Sequence, residues 1–170
     1  MTTTRRDERM RSATHAWMRA LERTAVIGRE PALILPLLID RLAERFGEAA
    51  ALIAPDSRLS YRALAEASHR VARWGLGQPL VPGDVVCLLM KNCPEYLAIW
   101  LGLSRIGVTV ALVNTHLAGE PLRHAIDVVR PRLAIAGAEH AAILEAVRRD
   151  LSGTVDCWAY GGGRHALPRL

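Results

Sequence analysis

The sequence predicts an α/β fold, a partial doubly wound, mostly parallel sheet with flanking helices. Three observations predict it. Val85 to Met90 (VVCLLM) is apolar at every position, which suits a strand buried on both faces of a parallel sheet. Around and after it, short apolar runs alternate with segments of helical periodicity over short links. Of the 170 residues, 51% are hydrophobic and 23% charged, the balance of a globular chain with a core. Only 5% are aromatic, so aliphatic side chains and alanine must fill the interior.

The elements follow in order. Residues 1–30 are expected to be a basic N-terminal extension, a frayed start and then a helix from Ala13 to Val26, broken by Pro31. Residues 31–170 hold the α/β unit. A helix is expected from Leu35 to Phe46, with Leu38, Leu42 and Phe46 on its apolar stripe and Gly47 as its C-terminal glycine. Ala50 to Ala54 reads as a strand, and Pro55-Asp56-Ser57 as a turn. Ser60 caps a helix from Tyr61 to Trp74, which Leu64, Ala67, Val71 and Trp74 line and Gly75 and Gly77 terminate. Pro82-Gly83-Asp84 turns into the Val85 strand. Pro94 and Glu95 open a helix to Ile106, since proline costs nothing at the first position and an acid suits the first turn. Gly107 ends it. Strands at Val108 to Val113, Leu133 to Ala136 and Val155 to Tyr160 alternate with helices at Glu120 to Val129 and Glu139 to Arg149.

Charge excludes more than it assigns. The formal net charge is +5, and residues 1–30 carry seven arginines against four acids, a local excess of 7 − 4 = +3. Lys91 is the one lysine. Acids interleave with the N-terminal arginines and no aromatic stacking platform accompanies them, so a solvated helix face is favoured over a nucleic-acid surface or an anionic membrane surface. Cys87, Cys93 and Cys157 are odd in number and lack CxxC spacing, which indicates neither a disulfide framework nor a zinc site and fits a reducing cytoplasm. Met1 to Arg11 is too polar for a signal peptide. Tyr96 to Val113 is the most apolar stretch, but Ser104, Arg105 and two glycines argue against a membrane span.

Local motifs yield no active site. Gly161-Gly162-Gly163 follows a strand, but no Lys-Ser/Thr pair and no receiving helix follow it, so it reads as a surface turn and not a phosphate loop. His15, His69, His116, His124, His140 and His165 form neither HxxxH nor HExxH. Cys93 precedes a helix whose dipole favours a thiolate, yet no histidine base is near in sequence, so a structural role is favoured. Asp56, Asp84, Glu95 and Asp127 form no pair by spacing, and no GxSxG elbow exists.

Several segments together resemble a known family. Leu59-Ser60-Tyr61-Arg62-Ala63-Leu64 resembles the "L-T/S-Y-x-E-L" segment of adenylate-forming enzymes, with Ala63 where glutamate is usual. Pro82-Gly83-Asp84-Val85-Val86 resembles their "PGD-x-V" turn, and Asn92-Cys93-Pro94-Glu95-Tyr96 their "N-x-P-E-Y/F". Trp100 to Leu103 with Ile106 to Val108 resembles "W-L-G-L…-x-G-A", and Val113 to Leu117 resembles "I/V-N-T-x-L". In order and spacing they look most like the very-long-chain acyl-CoA synthetase and fatty-acid transport protein branch. The resemblance implies an N-terminal part of an enzyme that activates a fatty acid with ATP to an acyl-adenylate and transfers it to CoA. ATP, Mg²⁺ and CoA are implied for the complete enzyme and none for this chain. The family's Ser/Thr/Gly-rich phosphate loop has no counterpart here, so no catalytic, cofactor-binding or metal residue carries over and the chain alone is expected to be inactive. What carries over is scaffold: Tyr61, Gly83, Asp84, Asn92, Pro94, Glu95 and Gly107. Asn114 and Thr115, just after a strand, are read in two ways, as the edge of the acyl tunnel of a complete enzyme or as loop-ordering residues. A binding module that keeps part of the scaffold is the alternative. Peripheral membrane association, and self-association through an uncovered sheet face or strand edge, complete the expectations; nucleic acid is not among the expected partners.

Overall fold

The computed structural model describes residues 3–30, 33–55, 57–163 and 166–170, with side chains described from residue 13 onward. The helix break expected at Pro31, Asp56 of the expected turn, and His165 lie outside these residues.

Helix α1 spans Thr3–Ala25, ten residues longer at its start than the sequence predicts. The expected frayed segment is helical because neither glycine nor proline occurs before Gly28. Helix α2 (Leu35–Phe46) has the expected bounds, but its buried side is turned from the expected stripe. Pro36, Ile39 and Ala43 are buried, whereas Leu38 and Phe46 are exposed. Ile39 and Ala43 join Leu64, Ala65, Ala98 and Leu101 in one cluster, and of the expected stripe Leu42 packs against it.

Strand β1 (Ala50–Ala54) is as expected, but it pairs antiparallel with β2 (Ser57–Ser60), which the sequence reading takes as turn and cap. Ser60 keeps the expected capping role: its hydroxyl accepts the Ala63 N–H at 3.1 Å. Helix α3 (Tyr61–Leu76) then runs past Gly75, which is buried inside it and does not end it; Gly77 is the cap.

The second sheet is parallel, in the order β4-β3-β5-β6: β3 is Val85–Leu89, β4 Thr109–Leu112, β5 Leu133–Gly137 and β6 Asp156–Tyr160. Helix α4 (Pro94–Arg105) links β3 to β4, α5 (Gly119–Val129) links β4 to β5, and α6 (Ala141–Val147), flanked by single 3₁₀ turns, links β5 to β6. The last connection was expected as one helix. Winding reverses after β4, and the helices change face with it, as right-handed crossovers require. Val86, Leu88, Leu133 and Ile135 pack on α3 and α4 through Val71, Ile99 and Leu103. Cys87, Leu89, Ala134 and Ala136 face α5 and α6 through Leu122, Ile126 and Leu144. The inner strands β3 and β5 are therefore covered on both faces, while Leu112 on the outer strand β4 stays exposed. At the β6 edge, Ala159 exchanges backbone bonds with Pro168 and Leu170 at 2.8 and 2.9 Å. Among the described residues no strand pairs with the outer edge of β4.

A turn conformation ties the strand starts together. Gly83 and Gly107 hold φ of +95° and +79°, where a side chain is strained, and the Gly83 N–H donates to the Gly107 carbonyl at 2.8 Å. Asp84 orders the same turn by accepting the Val81 N–H at 2.9 Å.

Candidate functional site

In open parallel sheets the loops after the strands form the ligand face. Here β3 and β4 are direct neighbours, in register from Val85 opposite Thr109 to Leu88 opposite Leu112. The Val113 N–H extends the ladder by donating to the Leu88 carbonyl at 3.0 Å. The chain after each strand thus leaves the sheet side by side, and the two loops enclose a cleft of about 410 Å³. Lys91, Asn92 and Tyr96 line it from the β3 side, and Asn114, Thr115 and His116 from the β4 side.

Met90, Leu112 and Val113 share the lining with these polar residues, and no carboxylate lines the cleft. An ammonium, two carboxamides and two hydroxyls give it donors for a polar or anionic group. Asn114 also holds its own loop, accepting the His116 N–H at 3.0 Å through Oδ1. Asn114 thus orders its turn, and Asn114 and Thr115 both border the cleft. Tyr96 is half-buried and burial pushes its hydroxyl pKa up.

Nothing in the cleft is an activated nucleophile. Burial pushes the nearby Cys93 thiol up, and the neighbouring Glu95 adds to the rise, which outweighs the backbone bonds that favour its thiolate. Cys87 is raised to about 12 and Cys157 is raised too, each chiefly by burial. We expect a disulfide-exchange reagent at mildly alkaline pH to label Cys93 slowly, and Cys87 and Cys157 only when denaturant is added. Rapid labelling of two or more thiols in the native chain would contradict this packing. Among the described residues no three His, Cys, Asp or Glu side chains converge as a metal set.

Five of the seven expected scaffold residues divide between the two ends of the sheet. Asn92 joins Asn114 and Thr115 at the cleft, and Pro94, buried, starts α4 beside it. Gly83, Asp84 and Gly107 sit at the opposite, N-terminal ends of β3 and β4. Tyr61 starts α3, its ring 5.4 Å from that of Phe46. Glu95 borders a different space, an apolar recess of about 370 Å³ walled by Val71, Trp74, Ile99 and Tyr160, with Glu66 and Arg70 among its lining. Trp74 meets Trp158 edge-on at 5.2 Å.

Two features escape the sequence reading. Lys91 and His116 line the cleft, although position after an apolar strand was a usable signal for both. The other is an ion network joining three helices. Arg105 of α4 donates to both carboxylate oxygens of Asp40 on α2, at 2.7 and 2.8 Å, and to the Pro36 carbonyl at 2.9 Å. His69 of α3 reaches the same carboxylate at 3.0 Å.

Comparison with known proteins agrees with this architecture. The family described as "AMP-binding enzyme" matches residues 39–161, most of the chain. Long-chain fatty acid transport protein 1 of Rattus norvegicus is 33% identical over 119 residues, 69% of this chain and 18% of that protein. Crotonobetaine/carnitine–CoA ligase of Citrobacter koseri is 34% identical over 105 residues, 59% of this chain and 20% of the ligase. A fatty acyl CoA synthetase of Mycobacterium tuberculosis superposes with a TM-score of 0.67 at 25% identity, over 73% of this chain and 26% of that one. The chain spans about a fifth of the length of these curated relatives. The sheet order, the scaffold motifs and the family match over residues 39–161 coincide, and the chain belongs to the AMP-binding enzyme family.

Proposed function

We propose that this chain forms the N-terminal scaffold of a long- or very-long-chain fatty acyl-CoA synthetase and is inactive by itself. The observation that carries the reading is the parallel sheet whose cleft lies where two loop motifs that resemble the family's, Asn92 to Tyr96 and Val113 to Leu117, meet. In the complete enzyme, ATP would activate a fatty acid to its adenylate and CoA would receive the acyl group. The residues present here do not fit ATP with Mg²⁺: the sequence has no Ser/Thr/Gly-rich loop ending in lysine, and the described residues offer no converging carboxylates. This chain's part is to build and rigidify the sheet on which such residues would be placed. A cytoplasmic setting with peripheral membrane contact, and self-association at the β4 edge, belong to the same reading.

A chimaera tests it. Residues 39–161 would replace the aligned segment of a full-length long-chain fatty acyl-CoA ligase. Acyl-CoA formation within about tenfold of the parent is expected if the segment is scaffold alone. A folded chimaera that binds ATP and fatty acid but forms no acyl-CoA would contradict the reading.

The recess between α3, α4 and Tyr160 favours one second reading, a non-catalytic binding module. Its apolar walls and about 370 Å³ suit part of an acyl chain. Calorimetry with a long-chain fatty acid separates the two, because saturable binding abolished by Trp74→Ala would favour the module.

A further inference from the structure

We infer that α1 is a lipid-surface helix, laying its Trp17–Met18–Leu21 face on an anionic bilayer. The inference rests on the peripheral-membrane part of the reading above and names the segment and the lipid chemistry; it needs none of the ligase reading.

Every side chain from Ala13 to Glu30 is exposed, Trp17 by 66% and Leu21 by 47%. An exposed tryptophan next to exposed Met18, with exposed Leu21 one turn on, is an apolar surface in search of a nonaqueous neighbour. On the helix, Trp17, Leu21 and Ala25 recur at four-residue spacing with Met18 beside them, while His15, Arg19, Glu22 and Arg23 take the other side. Among the described residues Arg19 and Arg23 enter no salt bridge. Thr3–Ala25 contains six arginines and three acids, 6 − 3 = +3. A cationic polar face opposite a tryptophan- and leucine-bearing face, with low overall hydrophobicity, is the pattern of a helix lying in the headgroup plane. No described helix is long and apolar enough to cross a membrane, so this helix would lie on the surface and not span it.

Charge decides between candidate occupants. A second copy of the helix brings another +3 against the first, and its seam would put Thr14 and Thr24 in line with Trp17 and Leu21, a poor packing ridge. The family scaffold does not claim the helix either, because its match begins at residue 39. An anionic lipid surface attracts the arginines and accepts the apolar face at once.

The test is flotation of the purified 170-residue chain with vesicles of equal parts phosphatidylcholine and phosphatidylglycerol, and with phosphatidylcholine alone. Binding to the anionic vesicles is expected to be at least about tenfold tighter and to weaken as salt is raised. Leu21→Glu and the pair Arg19→Glu, Arg23→Glu should each weaken it by about tenfold or more, and Trp17→Phe should keep most of it. These positions are exposed, so far-ultraviolet circular dichroism in solution should be unchanged. Equal binding to both vesicles, no binding, or variants that float like the parent would overturn the inference. So would a salt-stable dimer in solution that Leu21→Glu dissolves. Failed flotation leaves the chimaera result untouched, and an inactive chimaera leaves flotation untouched.

Discussion

Gly102→Ala is expected to destabilise the chain by about 3 kcal/mol or more, enough to leave much of it unfolded. Helices α3 and α4 touch through backbone at this point. A Cβ on Gly102 would stand 2.6 Å from the Ser68 carbonyl oxygen and 2.6 Å from the Val71 Cβ. Neither can swing away: one is backbone, and the other is fixed to it. Ser68 is fully buried and its hydroxyl is committed to the Ala65 carbonyl at 2.9 Å. Relief would have to come from parting the helices, which would loosen Val71, Ile99 and Leu103 against the sheet. Gly75→Ala is the control. Its Cβ would meet only the tips of Ile106, at 2.8 Å, and Leu103, at 3.3 Å, which can shift. Alanine also favours the helix by about 1 kcal/mol, so this change should fall within about 1 kcal/mol of the parent. Urea melts of the three chains check the pair. A Gly102→Ala chain as stable as the parent would mean that α3 and α4 do not pack this closely.

Arg105→Ala is expected to cost about 2–3 kcal/mol and to release α2 before the rest. Arg105 is 17% exposed and Asp40 28%, so the pair lies between a surface ion pair and a buried one. Truncation would remove three charge-assisted hydrogen bonds, two to the Asp40 carboxylate and one to the Pro36 carbonyl. Lysine should rescue only part, because it lacks the fork that spans both oxygens and the carbonyl. The pH dependence has a definite sign. Burial alone would raise the Asp40 pKa, but its hydrogen bonds and charge contact with Arg105, followed by His69, overcome this and hold it below the ordinary value. A carboxylate whose folded pKa is depressed adds stability above its ordinary pKa and loses it as pH falls towards the folded value. The parent should therefore lose this contribution below about pH 4, and Arg105→Ala should show a flatter stability profile there. Hydrogen exchange along α2, in parent and variant, measures the release directly. Unchanged protection in α2 would assign the network no part in docking that helix.

The parallel sheet was legible because its inner strands, β3 and β5, are short, wholly apolar runs. Val85 to Leu89 and Leu133 to Gly137 are buried on both sides, so no competing alternation obscured them. Strand β2 was not legible: Ser57-Arg58-Leu59-Ser60 has one apolar residue, and its strand character comes from pairing with β1. In α2 the period was right and the phase wrong, since side-chain size pointed to Leu38 and Phe46 while close packing selected Ile39 and Ala43. Gly75 looked like a stop signal because glycine serves both as a cap and as a place for a neighbour to approach. Asn92, Asn114 and Thr115 could be placed near strand ends from sequence, but their meeting depends on β3 and β4 being adjacent. The Asp40–His69–Arg105 network had no local signature at all, its members lying 29 and 65 positions from Asp40.

The account holds that these residues build a scaffold and carry no phosphate chemistry. Isotope exchange between ATP and pyrophosphate, run with the purified 170-residue chain, Mg²⁺ and a long-chain fatty acid, tests this most directly. The predicted result is no exchange above the protein-free blank. Fatty-acid-dependent exchange that co-purifies with the chain would contradict the account.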